Sequence, residues 1–147
     1  MIPKFKAWLK EYKIMVKVME LEFDEQGELK AVSFHLDWKN PAHAKLPSWF
    51  DKDELDGVVL MQSTGLIDKN GVEMYEGDIV ECQHTYNGII KGKLVYCEAG
   101  ACWGIEVFDE PTWYAWFCDD IEENENGEYD VKVIGNIYEN PELLEEG

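Results

Sequence analysis

Residues 58–83 read VVLMQSTGLIDKNGVEMYEGDIVECQ. Val58 to Gln62 is a short apolar run of strand length. Asp68-Lys69-Asn70-Gly71 follows, and Asn-Gly is the strongest short-range hairpin signal. Tyr75-Glu76-Gly77-Asp78 is a second turn that leads into the strand-like run Ile79 to Gln83. Turns this closely spaced leave no room for a helix, and the stretch predicts β structure.

The same grammar continues towards the C-terminus. Asn87-Gly88 predicts a third turn. Ile89 to Glu98 and Trp103 to Phe108 read as the next strands. Pro111 interrupts the pattern. Trp113 to Phe117 is a dense aromatic strand, residues 122 to 128 form an acidic loop ending in Asn126-Gly127, and Val131 to Ile137 is a last strand. Residues 139 to 144 read as a turn with a short helical tail. The five strand-like runs between Asp78 and Tyr138 suggest a small SH3-like barrel.

Towards the N-terminus, residues 14 to 23 are apolar at short intervals, Asp24 to Gly27 is turn chemistry, and Val32, Phe34, Leu36 and Trp38 alternate. Residues 14 to 38 therefore predict a β-hairpin. Residues 39 to 50, with Pro41 and Pro47, predict a loop tucked onto the core by Trp49 and Phe50. Residues 51 to 56 read as a helical turn or an acidic loop. The expected fold is mostly β: an N-terminal β-hairpin region, residues 1–57, packed with a C-terminal small SH3-like β-barrel, residues 58–147, and few short helical turns. A single shared core is the alternative division.

Composition narrows the function. The 147 residues carry 31 Asp and Glu against 13 cations, a net charge of −18, and every one of those cations is Lys. Arginine is the usual residue for bidentate contacts to guanine and phosphate. Its absence and the negative field argue against direct nucleic-acid binding and against an anionic membrane surface. The charge is unevenly placed: lysines dominate residues 3 to 17, whereas Lys132 is the sole cation from Phe108 onward. This asymmetry weakly steers the two ends, or two protomers, towards each other. No segment is long and apolar enough to span a bilayer, and the N-terminus does not read as a signal peptide. A cytoplasmic protein is expected.

Chemistry-bearing patterns are sparse. Cys82, His84, Cys97 and Cys102 suit a zinc site in number, but zinc sites use tighter pairs on knuckle-like turns. The simpler reading is reduced thiols, with Cys97 and Cys102 on neighbouring strands, so no metal and no cofactor are expected. Asp68 to Gly71 echoes the start of a calcium loop without its spaced ligands. His35, His43 and His84 sit in no nucleophile motif, and no phosphate-binding glycine loop is present. Glu73, Tyr75, Glu76 and Asp78 form the one compact acidic turn that merits attention as a site, against the plainer reading of turn and strand-cap chemistry. The aromatic residues Trp103, Trp113, Tyr114 and Trp116 form a second candidate. On an alternating strand Trp113, Ala115 and Phe117 share one face, while Tyr114 and Trp116 share the other. Both faces cannot point into one small core, so one is exposed or meets another element or another chain, against the plainer reading of core packing.

Two blocks exceed generic β chemistry: residues 61–80, MQSTGLIDKNGVEMYEGDIV, and residues 133–144, VIGNIYENPELL. With the opening Lys4-Phe5-Lys6-Ala7-Trp8, they resemble the YopX family of bacteriophages and prophages of Gram-positive hosts. The family pattern has Arg at the place of Lys6 and commonly Asp at that of Leu9, so a role needing that Arg does not transfer. The resemblance implies a phage-borne β protein in the host cytoplasm, an N-terminal β part joined to a small barrel, and self-association. It implies no catalytic residue.

These readings combine into an expectation of a phage or prophage accessory protein, more a protein-binding module than an enzyme. Its partner would be a host or phage protein, met through the aromatic and acidic residues above, with a homo-oligomer possible. The alternatives are an acidic DNA mimic that occupies a basic host protein, a carboxylate-based hydrolase, and a self-assembling structural protein.

Overall fold

The computed structural model of the chain describes residues 4–84, 88–98, 101–108, 114–117 and 120–146. Two compact units divide it, one containing the described residues up to Met61 and the other beginning at Gln62. The structure is mostly β, with short 3-10 turns at Pro41–His43, Lys52–Gly57 and Pro141–Glu146. Among the described residues no helix is long and apolar enough to cross a membrane.

The first unit is built from β1 (Phe5–Leu9), β2 (Ile14–Phe23), β3 (Leu29–His35), β4 (Trp49–Asp51) and the opening residues of β5 (Val58–Asp68). Their order is β5-β1-β2-β3-β4. Strands β2 and β3 are the hairpin expected from residues 14 to 38. Its turn is held by Asp24, whose Oδ1 accepts from the N–H groups of Gln26 and Glu28, both at 2.9 Å. Alternation turns Val16, Val32 and Phe34 inwards with Ala7, Leu9 and Phe50. Phe34 meets Phe50 edge to face at 5.4 Å, a favoured aromatic geometry.

Three local expectations change here. Strand β1 was not foreseen, because Lys6 and the flanking Lys4 and Lys10 mask a short inward pair, Ala7 and Leu9, both fully buried. Of the two aromatics expected to tuck in the loop, Phe50 does so, helped by Leu46, while Trp49 remains 55% exposed. The strand pattern stops at His35, so Trp38 leaves the inward row and is 86% exposed. The acidic segment after β4 is a 3-10 helix closed by a capping box between Asp51 and Glu54, which satisfies the first free N–H groups.

The second unit takes the later residues of β5 with β6 (Glu73–Tyr75), β7 (Asp78–His84), β8 (Gly88–Cys97), β9 (Cys102–Val107), β10 (Tyr114–Trp116), β11 (Glu128–Tyr129) and β12 (Val131–Asn136). Five of them make an antiparallel sheet in the order β10-β9-β8-β7-β12. Its inner face presents Val80, Cys82, Ile90, Leu94, Ile105, Val107, Ala115 and Val131 to one core, joined by Met74 and Phe117.

This sheet corrects the expectation of a closed SH3-like barrel. Strands β10 and β12 are its two edges, and no pairing joins them among the described residues. Closure needs edge strands long enough to share a sheared ladder, and β10 has three residues. Strand β5 does not complete the sheet either. Its later residues pair with β6 antiparallel and with β11 in parallel. The predicted strand 58 to 62 is thus only the first part of a longer one. The turn residue Asn87 and the break at Pro111 lie outside the described residues.

Asp68, at the end of β5, binds distant parts of this unit together. Its carboxylate is 1% exposed. Oδ1 accepts from Asn70 N–H at 2.9 Å and Val72 N–H at 2.8 Å. Oδ2 accepts from Val133 N–H at 3.0 Å, across 65 residues of chain. Lys69 N–H donates to Val131 O at 3.0 Å alongside. Strand β12 shifts register between Val133 and Gly135 where it pairs with β7, and a bulge there releases a backbone N–H from the ladder. The buried carboxylate supplies the acceptor.

Asp68→Ala leaves three backbone N–H groups without that acceptor. The expected loss is about 3 kcal/mol of unfolding free energy, since hydrogen bonds to a charged group contribute roughly 1.5–3 kcal/mol each and such losses do not add fully. Urea unfolding followed by tryptophan fluorescence measures it, and a loss under about 1 kcal/mol would show that these bonds do not hold the unit together.

Candidate functional site

The acidic turn is built by β5, β6 and β7. Ser63 on β5 faces Tyr75 on β6. The Glu73 carboxylate bridges them: Ser63 Oγ donates to Oε1 at 2.9 Å and the Tyr75 hydroxyl donates to Oε2 at 3.3 Å. Asp78 is buried, and its Oδ2 accepts from Tyr75 N–H at 2.8 Å. Glu76 points outwards, while its backbone N–H donates to Gln62 O at 2.9 Å. Gly77, at φ +88°, makes the reversal, a conformation that favours glycine. Burial raises the Tyr75 pKa first, followed by the Glu73 charge, the hydrogen bond to Glu73 and the Asp78 charge. Nearby Tyr138 is also raised, by burial and then by the Glu76 charge.

Three of the four predicted acidic-turn residues thus act on one another. Glu73 holds two hydroxyls, and Asp78 closes the turn on Tyr75. Their oxygens are engaged in structure, and only Glu76 presents its carboxylate outwards. The Ser63-Thr64 pair was not read as part of this assembly. Thr64 Oγ1 donates to Met74 O at 2.8 Å and accepts from Leu66 N–H at 3.0 Å. Two hydroxyl residues in the middle of an apolar run were the available signal, since buried hydroxyls need partners.

The aromatic candidates divide between two faces. Ile105 and Ala115 pair across β9 and β10, and both are buried. Side chains alternate along a strand, so Trp103 shares their inner face. There it packs against the core and meets Tyr96 edge to face at 5.1 Å. Tyr114 and Trp116 lie on the opposite, outer face. Their rings stack with centroids 5.2 Å apart and planes 13° from parallel. Trp113 lies outside the described residues.

The Tyr114–Trp116 pair has a specific seat. Trp116 is opposite Gly104 on β9. A Cβ at position 104 would stand 2.6 Å from Trp116 Cε3, so the indole rests directly on the glycine. Next along, Glu106 is opposite Tyr114 and 3.6 Å from Lys93 Nζ. The outer face therefore carries a stacked aromatic pair beside an ion pair. Large aromatics in this setting offer contact area at little cost in rotamer freedom.

Two depressions are lined by described residues. A depression of about 240 Å³ lies beside Lys69 and the acidic 122–130 segment, and a groove of about 180 Å³ lies between Glu20, Glu22 and Trp49. Both are smaller than the roughly 300–1,000 Å³ of typical small-molecule sites. Among the described residues no group of three or more His, Cys, Asp or Glu side chains is placed to hold a metal ion. Cys82 is buried, and its thiol is pushed up to about 11 by burial and the Asp130 charge, against a lowering by Lys69. A protonated thiol is a poor metal ligand. The side chain of His84 and all of Cys118 lie outside the description.

The fold and these sites define an acidic, two-unit, mostly β protein with one structural acidic turn and one outward aromatic pair. The sequence model for "YopX protein" matches residues 4–145, and the chain belongs to the YopX family. The chain is similar to the crystal structure of protein EF1440 from Enterococcus faecalis, with 31% identity and a TM-score of 0.62, covering 98% of this chain and 99% of that one. It is also similar in fold to the crystal structure of protein yopX from Bacillus subtilis, at 15% identity and a TM-score of 0.54, covering 95% and 96%. No curated protein matches the chain.

The raised Tyr75 pKa links this turn to alkaline stability. A neutral Tyr75 favours the folded state fully below the ordinary value of 10.0, and that contribution is lost as pH rises through the raised folded value. Glu73→Gln removes the adjacent charge, so the Tyr75 pKa falls towards its ordinary value and less stability is lost above pH 10.0. Tyrosinate absorbance and unfolding midpoints of both proteins across alkaline pH measure this. Identical curves would show that Glu73 does not set the Tyr75 environment.

Proposed function

We propose that the protein is a non-enzymatic binding module, a phage or prophage accessory protein that engages a host or phage protein in the host cytoplasm. One observation carries this reading: Tyr114 and Trp116 stack on the sheet face turned away from the core, with Trp116 seated on Gly104. Large aromatic side chains presented outside a core are the kind of anchor that dominates protein interfaces. The acidic turn supports the reading from the other direction, because the side chains of Glu73, Tyr75 and Asp78 are committed to holding strands. In this proposal Glu73, Tyr75 and Asp78 shape the unit that displays the aromatic pair, Glu76 adds an outward charge, and Trp103 buttresses the sheet from inside.

Acidic mimicry of DNA is the second reading, favoured by the net charge of −18. The two differ in salt dependence, since a charge-led complex weakens steeply as salt rises and an aromatic-led one does not.

The experiment is capture from nuclease-treated host lysate with wild type and Trp116→Ser, at low and high salt. The variant's thermal midpoint is measured to separate lost binding from lost fold. The expected result is a discrete protein retained by wild type at high salt and reduced at least about tenfold on a folded variant, as for an interface anchor whose removal costs at least 1.4 kcal/mol. Equal capture by the two proteins overturns the aromatic reading. Capture of a basic protein that disappears at high salt supports mimicry. A sedimentation mass above that of the monomer, reduced to the monomer by Trp116→Ser, assigns the face to self-assembly.

A further inference from the structure

Cys97 ends β8 and Cys102 begins β9, and the two are direct partners in the antiparallel ladder. Neither is in a disulfide and both are half-buried, and the Cys102 thiol donates to Trp103 O at 3.2 Å. They lie on one face of the sheet, because opposite residues of a ladder point the same way. That face is the outer one: Val95 and Gly104 form the pair two residues back, and Trp116 covers Gly104. The bond from Phe108 N–H to Lys91 O, 3.0 Å, sets the parity of the ladder. It places 97 and 102 in the hydrogen-bonded class of pairs, with Cα atoms about 5.5 Å apart. This separation lies within the range of a disulfide. Cβ atoms in such pairs are more widely spaced than a relaxed disulfide prefers, so the closed bond is strained and readily reduced.

We propose that Cys97 and Cys102 form a reversible thiol–disulfide site, oxidised by a small disulfide of the glutathione type. One thiolate attacks a sulfur of the reagent, its S–S bond breaks, and one reagent thiol leaves. The second cysteine, as thiolate, then attacks the mixed disulfide and expels the other reagent thiol. The two cysteines lose two electrons and two protons, and the reagent disulfide becomes two thiols. Cys82 does not compete, because it is buried on the core face of β7. The site stands on ladder geometry and does not depend on the binding reading.

The test uses full-length protein, fully reduced and then equilibrated with mixtures of reduced and oxidised glutathione. Acid-quenched intact mass and peptide mapping read the product. Wild type is expected to lose two hydrogens, with the link mapped between positions 97 and 102, and to regain them on reduction. Cys97→Ser and Cys102→Ser are each expected to hold one glutathione instead, since the second attack is missing. Circular dichroism confirms that both variants fold. Wild type that accumulates glutathione on these cysteines, that stays unreacted, or that links through Cys82 or Cys118 overturns the proposal.

Discussion

A buried carboxylate with three backbone N–H donors holds the second unit in its shape. Asp68 ends one strand, caps the turn that follows it, and receives Val133 from the far end of the chain. Without that acceptor, the bulged backbone of β12 would face the interior with an unmet donor, a costly arrangement. The remaining contacts of the last strand follow from this placement. Ile137 N–H reaches Gly77 O at 3.0 Å, and Gly77 N–H reaches Leu94 O at the same distance. The loop between β6 and β7 is thereby connected to both β12 and β8. Asn140 folds the chain end back, accepting from Asn136 N–H at 3.2 Å while its side chain fills the space beside Gly135.

The two stretches that resemble the family are physically one object. Residues 61–80 supply Asp68, Gly77 and Asp78, and residues 133–144 supply Val133, Gly135, Asn136 and Asn140. They meet through the bonds just described. The most recognisable residues of the sequence therefore maintain the strand order of one unit. The outward aromatic pair comes from the segment between them, which carries no family motif. Motifs that define a scaffold and surfaces that vary upon it are a common division in β proteins.

Much of this was legible because β structure writes its turns in glycine, asparagine and aspartate. Asn70-Gly71, Gly77 and Asn126-Gly127 fall where the chain reverses, with Gly71, Gly77 and Gly127 at positive φ. The alternation of residues 113 to 117 correctly separated Ala115 and Phe117 from Tyr114 and Trp116, since side-chain direction on a strand has a period of two. What stayed hidden is tertiary. A strand's register is absent from its own sequence, so nothing in Trp103 announced that it faces away from Trp116. Barrel closure depends on which edges meet, and five short strands in a row serve an open sheet equally well. Asp68 read as turn chemistry because its local partners, Asn70 and Val72, are near in sequence, while Val133 is not. Strand β1 escaped because Lys4, Lys6 and Lys10, in and beside it, hide its short inward pair.

The seating of Trp116 on Gly104 has a consequence for how this protein can change over generations. Any side chain at position 104 displaces the indole, and a smaller residue at 116 uncovers backbone that the glycine leaves bare. The two positions are therefore a single heritable unit: variation at one is tolerated chiefly in backgrounds already altered at the other. A lineage that alters this face must cross that coupled step, and Tyr114, stacked on the same indole, is tied to it as well.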